Sequence, residues 1–164
     1  MRDLEEVVED QMKRLQERAD EVATSYWNFR NRENDRRPTN ERTNLGVRAN
    51  IKGGAVRIEW FRTRVYVRRD GEAGRPYSDY IKKGRRNRYP RNTLARNAQS
   101  WEEEYVQKCE DEFALIREQA AELVQLRKSA RNLRKRGGLR FLATVETNHQ
   151  EPDDPTEGVG NASP

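Results

Sequence analysis

A chain of 164 residues has room for one domain with extensions, and with 33% hydrophobic and 37% charged residues its core must be small. No apolar run approaches a membrane span, and the first residues, MRDLEEVVED, lack the basic and apolar regions of a secretory signal, so the expected setting is soluble and cytoplasmic. A single cysteine, Cys109, excludes an internal disulfide framework and fits a reducing compartment.

Residues 3–30 are predicted to form a helix. Val8, Met12, Leu15, Ala19, Val22, Tyr26 and Phe29 recur at alternating steps of four and three, which places them on one stripe. The stretch 31–44, NRENDRRPTNERTN, has no apolar residue and reads as a polar linker. From Leu45 the period changes to two. LGVRANI, the pair Gly53-Gly54 and AVRIEWFRTRVYVRR predict a hairpin, and a parity switch after Trp60 predicts a bulge near Trp60-Phe61. DGEAGRP reads as a turn and PYSDYI as a short third strand. One face of this meander is expected under the helices and the other studded with arginine.

NTLARNAQ suggests a short helical turn. Ser100 and Glu103 then form the pattern of a capping box, with Glu102, Glu103 and Glu104 at the helix start. The long helix is expected to run to about Arg136, where Gly137-Gly138 stops it. Its apolar stripe takes in Tyr105, Cys109, Phe113 (or Glu112), Ile116, Ala120, Leu123, Ala130 and Leu133. LRFLATV, 139–145, suggests one more strand, and the acidic remainder a disordered tail. Trp27, Trp60 and Trp101 read as core or core-edge anchors. The expected class is α+β: an N-terminal amphipathic helix (1–30), a polar linker (31–44), a core domain (45–136) with an antiparallel meander under a long helix, and a C-terminal extension (137–164).

Catalytic chemistry finds little support. The one histidine, His149, lies in the tail, and no phosphate-binding glycine motif occurs. Cys109 falls on an apolar stripe, where a small buried side chain is the simpler reading than a nucleophile. The chain is therefore read as a non-enzyme, without cofactor or metal.

The charge pattern is more informative. The net charge of +5 is sorted into blocks: residues 62–101 carry twelve bases and three acids, whereas 102–126 carry eight acids and two bases. From Tyr80 to Trp101 there is no acid and there are seven bases, which repel one another unless a polyanion offsets them. Lys82, Lys83, Arg85, Arg86, Arg88 and Arg91 supply phosphate grip, Gly84 permits close backbone approach, and Tyr89 offers a ring for stacking on a base. Arg62, Arg64 and Arg68 on the preceding strands would extend the track. A secondary basic cluster comprises Arg127, Lys128, Arg131, Arg134, Lys135 and Arg136. A solvated charged loop is the plainer reading of the same residues.

The order IEWF, a basic strand, a DG turn, YSDYIKKGRRNRYP and NAQSWEEEYVQKCEDEFALIREQAAELVQLRKSAR resembles the MobI conjugative transfer proteins. The resemblance covers roughly residues 45–135, with Glu59-Trp60, Tyr80-Ile81 and the following Lys/Gly, and Trp101-Glu102 through Phe113-Ala114 and Ile116-Arg117 as its best-matching pieces; the N-terminal helix and the acidic tail carry none. It implies an auxiliary mobilisation factor of an integrative conjugative element or large plasmid, acting with a relaxase at the origin of transfer. No catalytic residue carries over. Three readings stand: accessory DNA binding in conjugation, an RNA-binding regulator, and a protein-interaction adaptor with a basic docking face. The helical stripes serve a monomer core and a homodimer seam equally.

Overall fold

The computed structural model describes residues 4–137. In chain order it holds helix α1 (Leu4–Asp35), a 3-10 turn (Thr39–Glu41), strands β1 (Leu45–Lys52), β2 (Ala55–Val67) and β3 (Ala73–Tyr80), a short helix α2 (Arg91–Ala95) and the long helix α3 (Glu103–Lys135). The three strands form one antiparallel sheet in the order β1-β2-β3. The fold is thus the expected α+β arrangement. The proposed strand 139–145 and the acidic tail lie outside the described residues.

The N-terminal helix follows its stripe: Val8, Met12, Ala19 and Tyr26 are buried, and Leu15 and Val22 pack against the core from its edge. It runs further than expected, however. Asn34 exchanges two hydrogen bonds with the Thr43 backbone, at 2.9 and 3.0 Å, and Arg37 reaches back to the Glu33 carboxylate at 2.5 Å. These contacts hold 31–35 helical despite their polarity. Pro38 then disfavours further helix at the residue before it.

Gly53 and Gly54 have φ of +62° and +72°, the left-handed pair that a tight two-residue hairpin turn requires. Pairing runs without interruption from Lys52–Ala55 to Leu45–Arg62. The expected bulge at Trp60-Phe61 is therefore absent, and the register shifts instead between Val65 and Val67. Parity need not switch at Trp60 because both neighbours are buried, one on each face. Trp60 is fully covered under the helices, with its ring 5.0 Å from Tyr26 and 5.9 Å from Phe113. Phe61 lies on the opposite face between Trp27 and Tyr80, at 6.3 and 5.8 Å. Trp27 gets there because Gly46 carries no side chain: a Cβ at this position would sit 2.8 Å from the Trp27 ring and 2.9 Å from Phe61. One consequence corrects the expected arginine face. Arg62 pairs with buried Leu45 and so shares the helix-side face with Trp60, as does Arg64 by alternation. β3 is an edge strand, where the missing N–H of Pro76 is tolerated.

The capping contact at the long helix also differs. Gln99 N–H donates to Glu102 Oε1 at 2.9 Å, and Glu102 N–H to the Gln99 carbonyl at 3.0 Å, so the reciprocal pair is Gln99–Glu102 and not Ser100–Glu103. Glu102 is fully buried, and its other oxygen lies 3.1 Å from the Tyr26 hydroxyl. Burial pushes its carboxyl pKa up, against the hydrogen bonds of Thr43, Gln99 and Tyr26. Trp101 donates to the Glu41 carbonyl at 2.9 Å and carries the Arg37 guanidinium over its ring, a core-edge role.

The chain divides into two units, Met1–Lys128 and Ser129–Pro164, and α3 runs through the boundary. The core just described belongs to the first. In the second, α3 ends at Lys135, Gly137 has φ +77°, and Leu133 is exposed although the sequence stripe included it. No helix among the described residues is long and apolar enough to cross a membrane.

Candidate nucleic-acid interface

The basic loop joins β3 to α2, spanning residues 81–90, and both its ends are tied to one residue of the sheet. Ile81 N–H donates to the Trp60 carbonyl at 2.9 Å, and Trp60 N–H donates to the Tyr89 hydroxyl at 3.3 Å. Below the second anchor lies a buried ion pair on α3. Glu110 is fully buried and Arg117 is 7% exposed. Their side chains meet twice, at 2.8 and 3.2 Å. Glu110 also accepts from Tyr89 N–H and from the Trp60 indole, both at 2.8 Å. Arg117 donates to the Asn87 carbonyl at 2.9 Å and to the Ile58 carbonyl at 3.2 Å, and its guanidinium lies over the Tyr89 ring. The Asn87 carbonyl and the Tyr89 N–H thus fasten the loop's second half to one charged knot, whose buried groups are in turn satisfied by these bonds.

This knot went unnoticed at the sequence level. Glu110 and Arg117 are seven apart, two helical turns, in a block where acids look like solvated surface. The available signal was that both fall next to the stripe of Phe113 and Ile116.

The expected contact residues separate accordingly. Tyr89 is 2% exposed, so its ring is not open to a base; it anchors the loop. Arg88 pairs with Asp111 on α3. Lys83 is half-buried and donates to the Arg86 carbonyl, and burial pushes its pKa down, with the Arg117 charge adding to the effect. Gly84 has φ +81° with no atom near the position of a Cβ, which gives the loop its turn. Lys82, Arg85, Arg86 and Arg91 are exposed and have no ion pair among the described residues. Arg85, Arg86 and Arg88 border an open cleft of about 570 Å³ against Asp111, Leu115 and Glu118.

On the strands, Asp79 binds both Arg64, at 2.7 Å, and Arg62, at 3.2 Å, while Arg68 pairs with Asp70 at the turn. In the secondary cluster Arg127 donates to the Gly54 carbonyl at 3.0 Å and so belongs to the hairpin turn. Lys128 is exposed in the first unit; Arg131, Arg134, Lys135 and Arg136 lie in the second.

No group of three or more metal-ligating side chains occurs among the described residues. Cys109 is buried and its thiol is pushed up to about 12 by that burial, which keeps it protonated and unreactive at neutral pH.

A comparison with protein-family models matches the MobI protein family over residues 15–131. The chain belongs to the MobI family. The match begins inside α1, so the second half of that helix is part of the family's common region, which the resemblance seen in the sequence had left out. MobI membership points to an accessory role in mobilisation, in a family not known for enzymes. No curated protein and no solved structure matches this MobI chain. The matched region contains the whole sheet, the basic loop and the Glu110–Arg117 knot.

Proposed function

We propose that this MobI protein binds DNA at the origin of transfer of a conjugative element and assists relaxase-dependent initiation there. Phosphates are held by the crest of the basic loop: Lys82, Arg85 and Arg86, with Lys83 shaping it and Arg91 flanking it. The observation that carries the reading is the contrast inside the loop. Its backbone is fastened to Trp60 and to the Glu110–Arg117 pair, while the side chains of its crest have no ion pair among the described residues. A solvated loop of no function has no need of such an anchor, whereas phosphate recognition gains from charges held in place. Arg62, Arg64 and Arg68 are already engaged with carboxylates and take a lesser part in phosphate contact. The protein partner in this reading is the relaxase or another transfer protein.

The test is fluorescence anisotropy on a transfer-origin duplex across a potassium chloride series. Affinity should fall steeply with salt, by about 0.9 log units per log unit of salt for each phosphate neutralised. Replacing Lys82, Lys83, Arg85 and Arg86 together with alanine should flatten that slope by more than about 2. An unchanged slope would remove the loop from the interface. Tighter binding to an unrelated RNA at the same salt would turn the reading to an RNA regulator.

A further inference from the structure

Past Arg62, β2 no longer pairs with β1; Thr63 N–H still reaches the Asn44 carbonyl at 2.8 Å, and there the contact ends. From that point to the Gly71 turn, β2 and β3 run as a two-stranded ribbon, paired Arg64–Tyr77 and Val65–Pro76, with the register shift before Val67–Ala73. Val65, Tyr66, Val67 and Tyr77 are 53%, 62%, 67% and 50% exposed, so the ribbon is uncovered on both faces. An exposed ribbon with β-branched and aromatic side chains would be a liability if it had no partner. Its bulge is built in: a Cβ on Gly74 would lie 2.7 Å from the Tyr66 carbonyl oxygen, so this crossing depends on glycine. Bulges increase the local twist.

The chemistry of one face suggests the occupant. Arg62, Arg64 and Asp79 share it with Tyr77, and exposed Arg75 follows at the register shift, opposite Tyr66, the next position of β2 on that face. Asp79 holds the Arg64 guanidinium at 2.7 Å in an exposed ion pair, an arrangement that orients the group yet yields it at little cost. Arg75 and Arg69 have no ion pair among the described residues. Forked donors beside tyrosine rings match the acceptor edges of guanine and the methyl of thymine. Size agrees: six residues of strand extend about 17 Å, and two strands about 4.8 Å apart enter a groove about 12 Å wide.

We propose that the β2–β3 ribbon inserts into the major groove of duplex DNA and reads base edges through Arg64, Arg75 and Tyr77. The inference rests on the DNA-binding reading above and assigns its sequence selectivity to a different element from the one that grips phosphate.

The experiment uses the full chain, a transfer-origin duplex and a scrambled duplex of equal composition at one salt concentration. The variant is Arg64→Ala with Arg75→Ala and Tyr77→Ala; all three side chains are exposed, so its melting temperature should match the unaltered chain. Affinity for the transfer-origin duplex should fall about tenfold or more, and affinity for the scrambled duplex less than about threefold. Methylating guanine N7 in the transfer-origin probe should weaken the unaltered chain and leave the variant little changed. Equal losses on both duplexes, or none on either, would overturn groove reading, as would an unaltered chain that does not distinguish the duplexes. Binding by neither duplex to the unaltered chain is the separate result that removes the DNA reading itself. If instead the ribbon variant alone loses a co-purified transfer protein while its duplex ratio is unchanged, the ribbon is a protein-docking arm and groove reading fails.

Discussion

Two charged regions meet at one loop of this molecule and obey opposite rules. The Glu110–Arg117 pair is sealed inside, with hydrogen bonds at 2.8–3.2 Å to each other and to Trp60, Tyr89, Asn87 and Ile58. The crest of Lys82, Arg85 and Arg86 is exposed and unpaired among the described residues. In the knot each charge is matched, and removing one partner leaves the other stranded in a low dielectric. On the crest no charge is matched, and removing one costs the fold almost nothing. In the proposed reading the knot positions and the crest binds. Residues chosen for stability and residues chosen for binding can therefore be told apart by what each substitution does to folding and to DNA affinity.

The largest separation is expected at the knot. Glu110→Gln or Arg117→Met should lower unfolding free energy by about 3–5 kcal/mol, read from urea midpoints at constant slope. A loss below about 1 kcal/mol would mean that the pair is replaceable and the loop is held by something else. Removing both charges together with apolar side chains should cost less than either single change, since no charge is left unpaired.

Next comes the sheet edge. Gly46→Ala introduces a Cβ into space already filled by two aromatic rings. Rings this well packed cannot yield by a few tenths of an ångström without moving α1 or β2, so a loss of about 1–3 kcal/mol is expected. The effect belongs to stability alone: residual folded protein should bind DNA as the unaltered chain does. Weakened binding by the folded fraction would tie the Trp27 corner to the interface and blur the contrast.

How much of this was written in the sequence follows from the range over which each signal acts. The α1 stripe, the Gly53-Gly54 hairpin and the long helix come from local periodicity and turn chemistry, and these match the structure. The misplaced bulge came from reading Trp60 and Phe61 as members of one face, when an aromatic residue from α1 covers the second of them across a glycine. Asn34 continues a helix through a polar stretch by bonding nine residues ahead, which no window of periodicity detects. The basic loop was visible as composition. Its anchoring was not, because Tyr89 meets Trp60 and Arg117 meets Ile58 over separations of 29 and 59 residues. Tyr89 was accordingly assigned to ligand stacking when its hydroxyl and backbone serve the fold.

Tyr89→Phe sharpens that assignment. The ring stays under Arg117, but the Trp60 N–H loses its acceptor in a buried setting. A cost of about 1–2 kcal/mol in urea unfolding is expected. DNA affinity at fixed salt should change less than about twofold, because the loop retains the Tyr89 N–H bond to Glu110.

The smallest effect on folding is the most telling. Replacing Lys82, Lys83, Arg85 and Arg86 with alanine should shift stability by less than about 0.5 kcal/mol, since surface changes away from buried partners are near neutral. Lys83 is the one member with a contact of its own, to the Arg86 carbonyl, and burial already works against its charge, so its loss is partly offset. Relieving repulsion among the remaining crest charges acts in the same favourable direction. A variant that is as stable as the unaltered chain, or slightly more so, and yet loses its salt-dependent DNA affinity would show that the crest's unpaired charge is maintained for a polyanion. A variant that loses stability and affinity together would place the crest with the knot, as part of the fold.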